Sequence, residues 1–379
     1  MNRWTLILTP QDTLLFKGHR PFAAGDQSSA DLLFPQPSSV WGAVVTALAR
    51  ARGLRFGPPG SEVPVELAEL IAQVHVAGPW LAERGASGEV SAPWLPTPRD
   101  QGHLLRPPGA VRAWTGRPIQ LCKKDAVGPG DEDPVASCQK ASLALVPRAL
   151  MVRAGDHKES RPAWLSQGSL SAYFANPGKE APTGDRSKDL IDEELRAGHA
   201  RDEDGTQTVR EGMLYTSPRW RLKDGACLVA EVEADALGGD LKKLCGTTLQ
   251  LGGKGRRVRV GLHEQAALSR TLLDEAAAAA GPRRLLLLTP AVLDEASAQA
   301  LAACGAVVEV GHPEGGWDFV RNAPRPLRRT LAAGSVLLLP PGPTPLITQH
   351  HGRDHIGAVN THKAGWGLVL RIGQDGDQA

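Results

Sequence analysis

The chain has 379 residues, enough for two domains and a substantial core, and a formal net charge of only +2. That balance excludes a basic tail or histone-like chain, so any polyanion surface must come from local clustering. Five cysteines, widely spaced and without a C-x-x-C pair, exclude a zinc ribbon and a disulfide scaffold and fit a reducing compartment.

The chain opens with RWTLILTP, a strand candidate, and a second apolar run, DTLLF. The leading apolar stretch is too short for a secretory leader, and no segment reaches membrane-span length, so the expectation is a cytoplasmic protein with no membrane partner. KGHRPFAAGD reads as a loop. The spacing then predicts a helix over 39–52, capped by Ser38 or Ser39, with Val40, Val44 and Leu48 in one stripe and Gly53 closing it. A second helix is predicted over Val65–Gln73, followed by the strand VHVAGPWL.

From Glu83 to Val146 periodicity is lost to Pro, Gly and charge, as in a projecting hairpin or a long functional loop. WLSQGSLSAYF reads as a short helix, and Asn176–Gln207 as polar and partly mobile. EGMLYTSPRWRLKDG and ACLVAEVEA are strand-like. After them Leu268–Ala280 (helix), RRLLLLTP (strand), Val292–Ala303 (helix) and AVVEVGH (strand) alternate, and GSVLLLPP and WGLVLRIG are the last strand candidates. Each half mixes a few strands with two helices, which is compatible with a βαββαβ ferredoxin-like unit.

Between these elements lies LQLGGKGRRVRVGL. Gly252, Gly253 and Gly255 permit left-handed backbone and close approach, and Lys254, Arg256, Arg257 and Arg259 bring positive charge to the same place. A strand resuming at Arg257 would put Arg257 and Arg259 on one face and Val258 and Val260 on the other. The spacing is not that of a Walker A loop, and no helix follows as a dinucleotide fingerprint requires. A glycine hairpin with solvated arginines satisfies the same spacing.

LGGKGR resembles the glycine-rich loop of the RAMP proteins of CRISPR effector complexes, where L-G-G-E-G-R is usual; here Lys254 replaces the acidic residue. DTLLFKGHRPFAAG with FPQPSSVWGAVVTAL, then WLSQGSLSAYF, RAGHARDEDGTQTVREGMLY, GWDFVRNAPRPLRRTLAAGSVLLL and AGWGLVL resemble, in order, the type III-B (Cmr complex) RAMP subunit. The resemblance implies an α+β fold of two ferredoxin-like, RRM-like RAMP domains with long loop insertions, placed at 1–205 and 206–379, the second carrying the glycine loop. It implies a non-catalytic crRNA-binding subunit of a ribonucleoprotein complex in antiviral defence, without cofactor, metal or catalytic residues. Its implied partners are the crRNA 5′ handle, the large polymerase/cyclase-like subunit and the adjacent backbone RAMP subunit.

The candidate RNA contacts are Gly252, Gly253, Lys254, Gly255, Arg256, Arg257 and Arg259, with Lys17, His19 and Arg20 of KGHRPF and with Arg196 and His199 of the middle motif. Phe22 is a core candidate beside the KGHRPF loop. The histidines of QHHGRDH, among them His350, His351 and His355, read as a basic loop near RNA or a partner rather than a metal site. Arg325, Arg328 and Arg329 read as loop residues facing RNA, the large subunit or solvent. Two other readings stay open. One is a metal-independent RAMP endoribonuclease using His19 or His350, with Lys17 or a loop arginine on the phosphorane. The other is a scaffold whose basic loops meet acidic protein surfaces.

Overall fold

The computed structural model describes residues 2–18, 32–58, 60–85, 88–100, 164–175, 190–201, 209–279, 283–301, 304–318, 322–339 and 346–373. His19, Arg20, Phe22 and all but the first part of the 83–146 stretch lie outside the described residues.

Along the chain run β1 (Arg3–Pro10), α1 (Pro37–Ala51), α2 (Val65–Gln73), β2 (Val76–Glu83), α3 (Gln167–Ala175), β3 (Ile191–Arg201), β4 (Val209–Leu222), β5 (Ala226–Glu233), α4 (Gly238–Leu244), β6 (Thr248–Gln250), β7 (Arg257–His263), α5 (Arg270–Ala278), β8 (Arg284–Leu287), α6 (Glu295–Leu301), β9 (Gly305–Val307), β10 (Val336–Leu338) and β11 (Val369–Ile372). The fold is mixed α/β, with antiparallel sheets and few helices. Among the described residues no helix is long and apolar enough to cross a membrane.

The chain divides into two compact units. The first is built from Met1–Pro93, Arg186–Ala267 and Gly315–Pro326. Its five-stranded sheet runs β2-β5-β1-β7-β6. In register, Leu8 faces Leu228 on one side and Val260 on the other, and all three are buried. Helix α1 buries Val40, Val44 and Leu48, the stripe expected from the 3.6 period. It starts earlier than the expected serine cap: Pro37 occupies the first turn, its ring pre-set to helical φ, and Gln36 is the N-cap without a side-chain cap bond. Gly53 closes the helix at φ +74°, and Arg52 pairs with Asp240 at 2.7 Å. Helix α2 has the expected bounds.

Two expectations need correction here. Residues 191–201, read as polar and partly mobile, form strand β3, paired with β4 from Ile191↔Leu222 through Gly198↔Tyr215. Glu194 pairs with Arg221 across the hairpin and Arg196 with Asp12, so polar side chains find partners without an apolar alternation. The glycine loop, assigned to the 206–379 half, belongs instead to the unit of the N-terminal strand. It leads into β7, and β7 pairs with β1. A single cut at 205/206 falls between β3 and β4 and separates β1 from both of its partners. Pairing across such a sequence separation leaves no trace in local periodicity.

The second unit is built from Trp94–Asp185, Leu268–Glu314 and Leu327–Ala379. Its four-stranded sheet runs β9-β10-β8-β11, again antiparallel. Leu285 and Leu287 of β8 anchor a core with Leu301, Leu337, Ile356 and Val369. Helix α5 is capped by Ser269, whose hydroxyl accepts from the Leu272 N–H at 3.1 Å. The apolar runs predicted as strands here all form strands, shorter than their apolar stretches.

Candidate nucleic-acid interface

The glycine loop closes between β6 and β7, with the Leu251 N–H donating to the Arg256 carbonyl at 2.8 Å. Left-handed φ values fall on Gly252 (+87°), Lys254 (55°) and Gly255 (+67°), and not on Gly253. The close backbone approach is made within the chain. The Gly253 N–H donates to the Leu15 carbonyl at 2.8 Å, and a Cβ on Gly252 would lie 2.8 Å from that oxygen. The glycines therefore seat the loop on Leu15 and Phe16, and Gly255 faces open space. Beyond the loop, Arg257 and Arg259 are exposed while Val258 and Val260 are buried, as the alternation predicted.

The loop presents Lys254 to the β3–β4 hairpin. Its Nζ donates to the Tyr215 hydroxyl at 2.8 Å and stands 4.9 Å from the ring centroid. Tyr215 lies across Gly198, where any Cβ would come within 2.4 Å of the ring, so glycine there gives the ring its place. The hydrogen bond from Lys254 holds the Tyr215 phenol below its usual range, against the effect of burial. Burial, then the charge of Lys254, pushes the Lys17 ammonium down as well.

Arg219 sits at the centre of this charge. It is 8% exposed, and its Nε, like the hydroxyls of Thr13 and Ser217, is buried without a hydrogen-bond partner. Burial, then repulsion from Arg256 and Arg196, lowers its pKa, with Asp12 and Tyr215 opposing. A buried guanidinium with an unused donor is an expensive arrangement unless an anion completes it.

Arg196 and Arg256 are turned toward carboxylates. Asp12, just beyond β1, accepts two bonds from Arg196 (2.6 and 2.9 Å), one from Arg256 (2.6 Å) and one from Arg221 (3.2 Å). Glu194 accepts from the Arg196 Nε at 2.5 Å and from the Arg221 Nε. Burial would raise the Asp12 carboxyl, but hydrogen bonds and the arginine charges outweigh it and hold the group well below the usual range. The bonds from Arg221 and Arg196 bring Glu194 down to about 2.

Lys17, Arg196, Arg219, Arg221, Lys254 and Arg256 thus gather around two carboxylates, Asp12 and Glu194, leaving positive charge in excess. Of the sequence candidates, the structure brings together Lys17, Arg196, Lys254 and Arg256. Arg257 and Arg259 stand on the adjoining strand face, and His199 lies in β3 opposite Leu214. Sequence reasoning missed Asp12, Glu194, Tyr215, Arg219 and Arg221. The alternations E-L-R and R-W-R were the available signal, since they place Glu194, Arg196, Arg219 and Arg221 on one face of a hairpin.

The QHHGRDH stretch is a hairpin in the second unit, Thr348–His350 against Arg353–His355. It is not the basic loop expected. His355 is 3% exposed, its Nδ1 lies 2.9 Å from the Trp366 carbonyl, and its ring stacks on His362 at 4.8 Å. Burial pulls His355 down to about 3, so the ring is neutral. Arg328, read as a loop cation, is held by buried Glu314 at 2.7 Å.

The CRISPR-associated protein family Cas_Cmr3 matches residues 6–372. No curated protein matches the chain. Among solved structures it resembles a chain of a type III-B Cmr-beta complex bound to cognate target RNA and AMPPNP, at 15% identity and TM-score 0.52, covering 88% of this chain and 86% of that one. It also resembles a chain of Cmr-beta bound to cognate target RNA, at 15% identity and TM-score 0.50, covering 89% and 86%. With the family matched across nearly its whole length, the chain belongs to the Cmr3 family of CRISPR-associated proteins, subunits of type III effector complexes.

Proposed function

We propose that the protein is a non-catalytic crRNA-holding subunit that grips the 5′ handle through the first unit and docks the large polymerase/cyclase-like subunit and a backbone RAMP subunit. The observation that carries the reading is Arg219: a buried guanidinium whose Nε donor is unused, amid more cations than its two carboxylates balance. Phosphate oxygens supply the acceptors such a site lacks. The exposed Arg257 and Arg259 extend the same charge along a strand face, where contacts to a sugar–phosphate backbone position an RNA without reading its bases.

Each sheet supports the ferredoxin-like part of the reading. The four strands that alternate with helices in the first unit, and the four strands of the second, lie in the spatial order second-third-first-fourth.

The test is crRNA capture by the full chain, assembled with its complex, across a salt series. Lys17→Ala, Arg219→Ala, Lys254→Ala and the pair Arg257→Ala/Arg259→Ala should each weaken capture. Each should lower the slope of log K against log salt by roughly 0.7 for every phosphate that is no longer neutralised. Wild-type affinity and slope in all four folded variants would refute the reading. Incubation with repeat RNA in EDTA should leave the RNA intact; specific cleavage would replace the proposal with the endoribonuclease.

A further inference from the structure

The geometry points to Asp12 as the positioning residue of the arginine surface, an inference that rests on the RNA-holding reading above. On charge alone, a carboxylate inside a cationic surface should only repel RNA, and its removal should tighten binding. The arrangement around Asp12 gives the opposite expectation.

Asp12 joins three segments remote in sequence. Arg196 lies 184 residues away, Arg221 lies 209 away and Arg256 lies 244 away, and all three donate to its carboxylate. The carboxylate is itself fixed on both sides. The Gln11 N–H donates to the Arg257 carbonyl at 3.1 Å, and Leu14 exchanges backbone bonds of 2.8 and 2.9 Å with Trp220. Asp12 is therefore a short arm on braced backbone, and it sets where three long side chains stop.

Gathering does not exhaust them. Three guanidinium groups carry about fifteen N–H donors. Asp12 and Glu194 together take six hydrogen bonds from them. The remaining donors stay on planar forks, and the charges of Arg256 and Arg196 repel that of buried Arg219. Without Asp12 these cations repel one another and spread, and each must be ordered again when RNA arrives.

The experiment measures crRNA capture by the full chain across a salt series, with folding followed by circular dichroism. Asp12→Asn should bind about tenfold more weakly than wild type and show a shallower salt slope at unchanged native fraction, which a merely structural role would not produce. Glu264→Gln removes one negative charge elsewhere, at an exposed pair with Lys242, and should bind equally or slightly more tightly. Asp12→Asn combined with Arg196→Ala should lose less than the two single losses together. Should Asp12→Asn not fold, Glu194→Gln takes its place: it frees the Nε groups of two of the same arginines, Arg196 and Arg221, and should also weaken capture. Affinity at or above wild type in whichever variant folds overturns the inference. The RNA-holding reading fails separately, through wild-type capture by all four variants Lys17→Ala, Arg219→Ala, Lys254→Ala and Arg257→Ala/Arg259→Ala, and the Asp12 inference then falls with it.

Discussion

Four strands of the first sheet and the four of the second share one order, and the two units use it differently. In the first unit the elements around β1 end in charge: the glycine loop, the hairpin and the Asp12 segment converge on arginines and lysines. In the second, the elements around β8 end in packed, neutral imidazoles, with His355 and His362 both buried. The difference teaches that the strand order supplies a scaffold and the connections decide its use. A long hairpin set against a glycine loop makes a cationic surface; a short hairpin packed with the 3-10 turn Val359–Ala364, which carries His362, makes a core.

The largest effect expected breaks the first unit at its backbone. Gly252→Val puts a Cβ 2.8 Å from the Leu15 carbonyl oxygen at φ +87°. It should destabilise the protein by about 3 kcal/mol or more in urea unfolding. Gly253→Ala, outside the left-handed region and with 3.6 Å of space to the same oxygen, should lose less than about 1 kcal/mol. Equal losses would mean that the loop is not seated on Leu15.

Acid separates the units next. His355 has its pKa lowered from 6.5 to about 3, so the unfolded chain takes up its proton first as pH falls. Stability from the second unit is complete above pH 6.5 and declines below it, by up to about 1.4 kcal/mol per pH unit for that proton, or about 2.5 kcal/mol by pH 4.5. Glu194 runs in a lower window: its contribution is full above 4.5 and is lost as pH falls toward 2. Hydrogen exchange between pH 7 and 4.5 should therefore loosen β8 amides while β1 amides hold, and His355→Gln should flatten the decline. Simultaneous loosening of both strands would erase the contrast.

A smaller change should separate stability from function. Arg219→Met removes a buried donor that has no partner and should raise stability by about 1–2 kcal/mol while weakening crRNA capture. A destabilised variant with full RNA affinity would make Arg219 structural. Smallest, Ser269→Ala removes the cap of α5 and should lower stability by about 1 kcal/mol without touching RNA affinity.

Much of the fold was legible. The bounds of α2, the apolar face of α1 and the alternation of Arg257–Val260 follow from side-chain periods of 3.6 and 2. The site was legible as a list of cations but not as a geometry. Arg196 and Arg256 looked like free charges until Asp12, remote from both, proved to hold them. Arg219 was missed altogether, because only the fold buries it within reach of the charges of Arg196, Arg256 and Lys17.

By itself, then, the sequence determined most of the elements, the family and the stretch that forms the glycine loop, because these are written in local spacing and in motifs that follow one another in order. Tertiary structure alone decided which strands meet, which carboxylate gathers which arginines, and which histidines are buried neutral. Those outcomes depend on desolvation and on contacts between residues up to 244 positions apart, for which a linear pattern holds no distance.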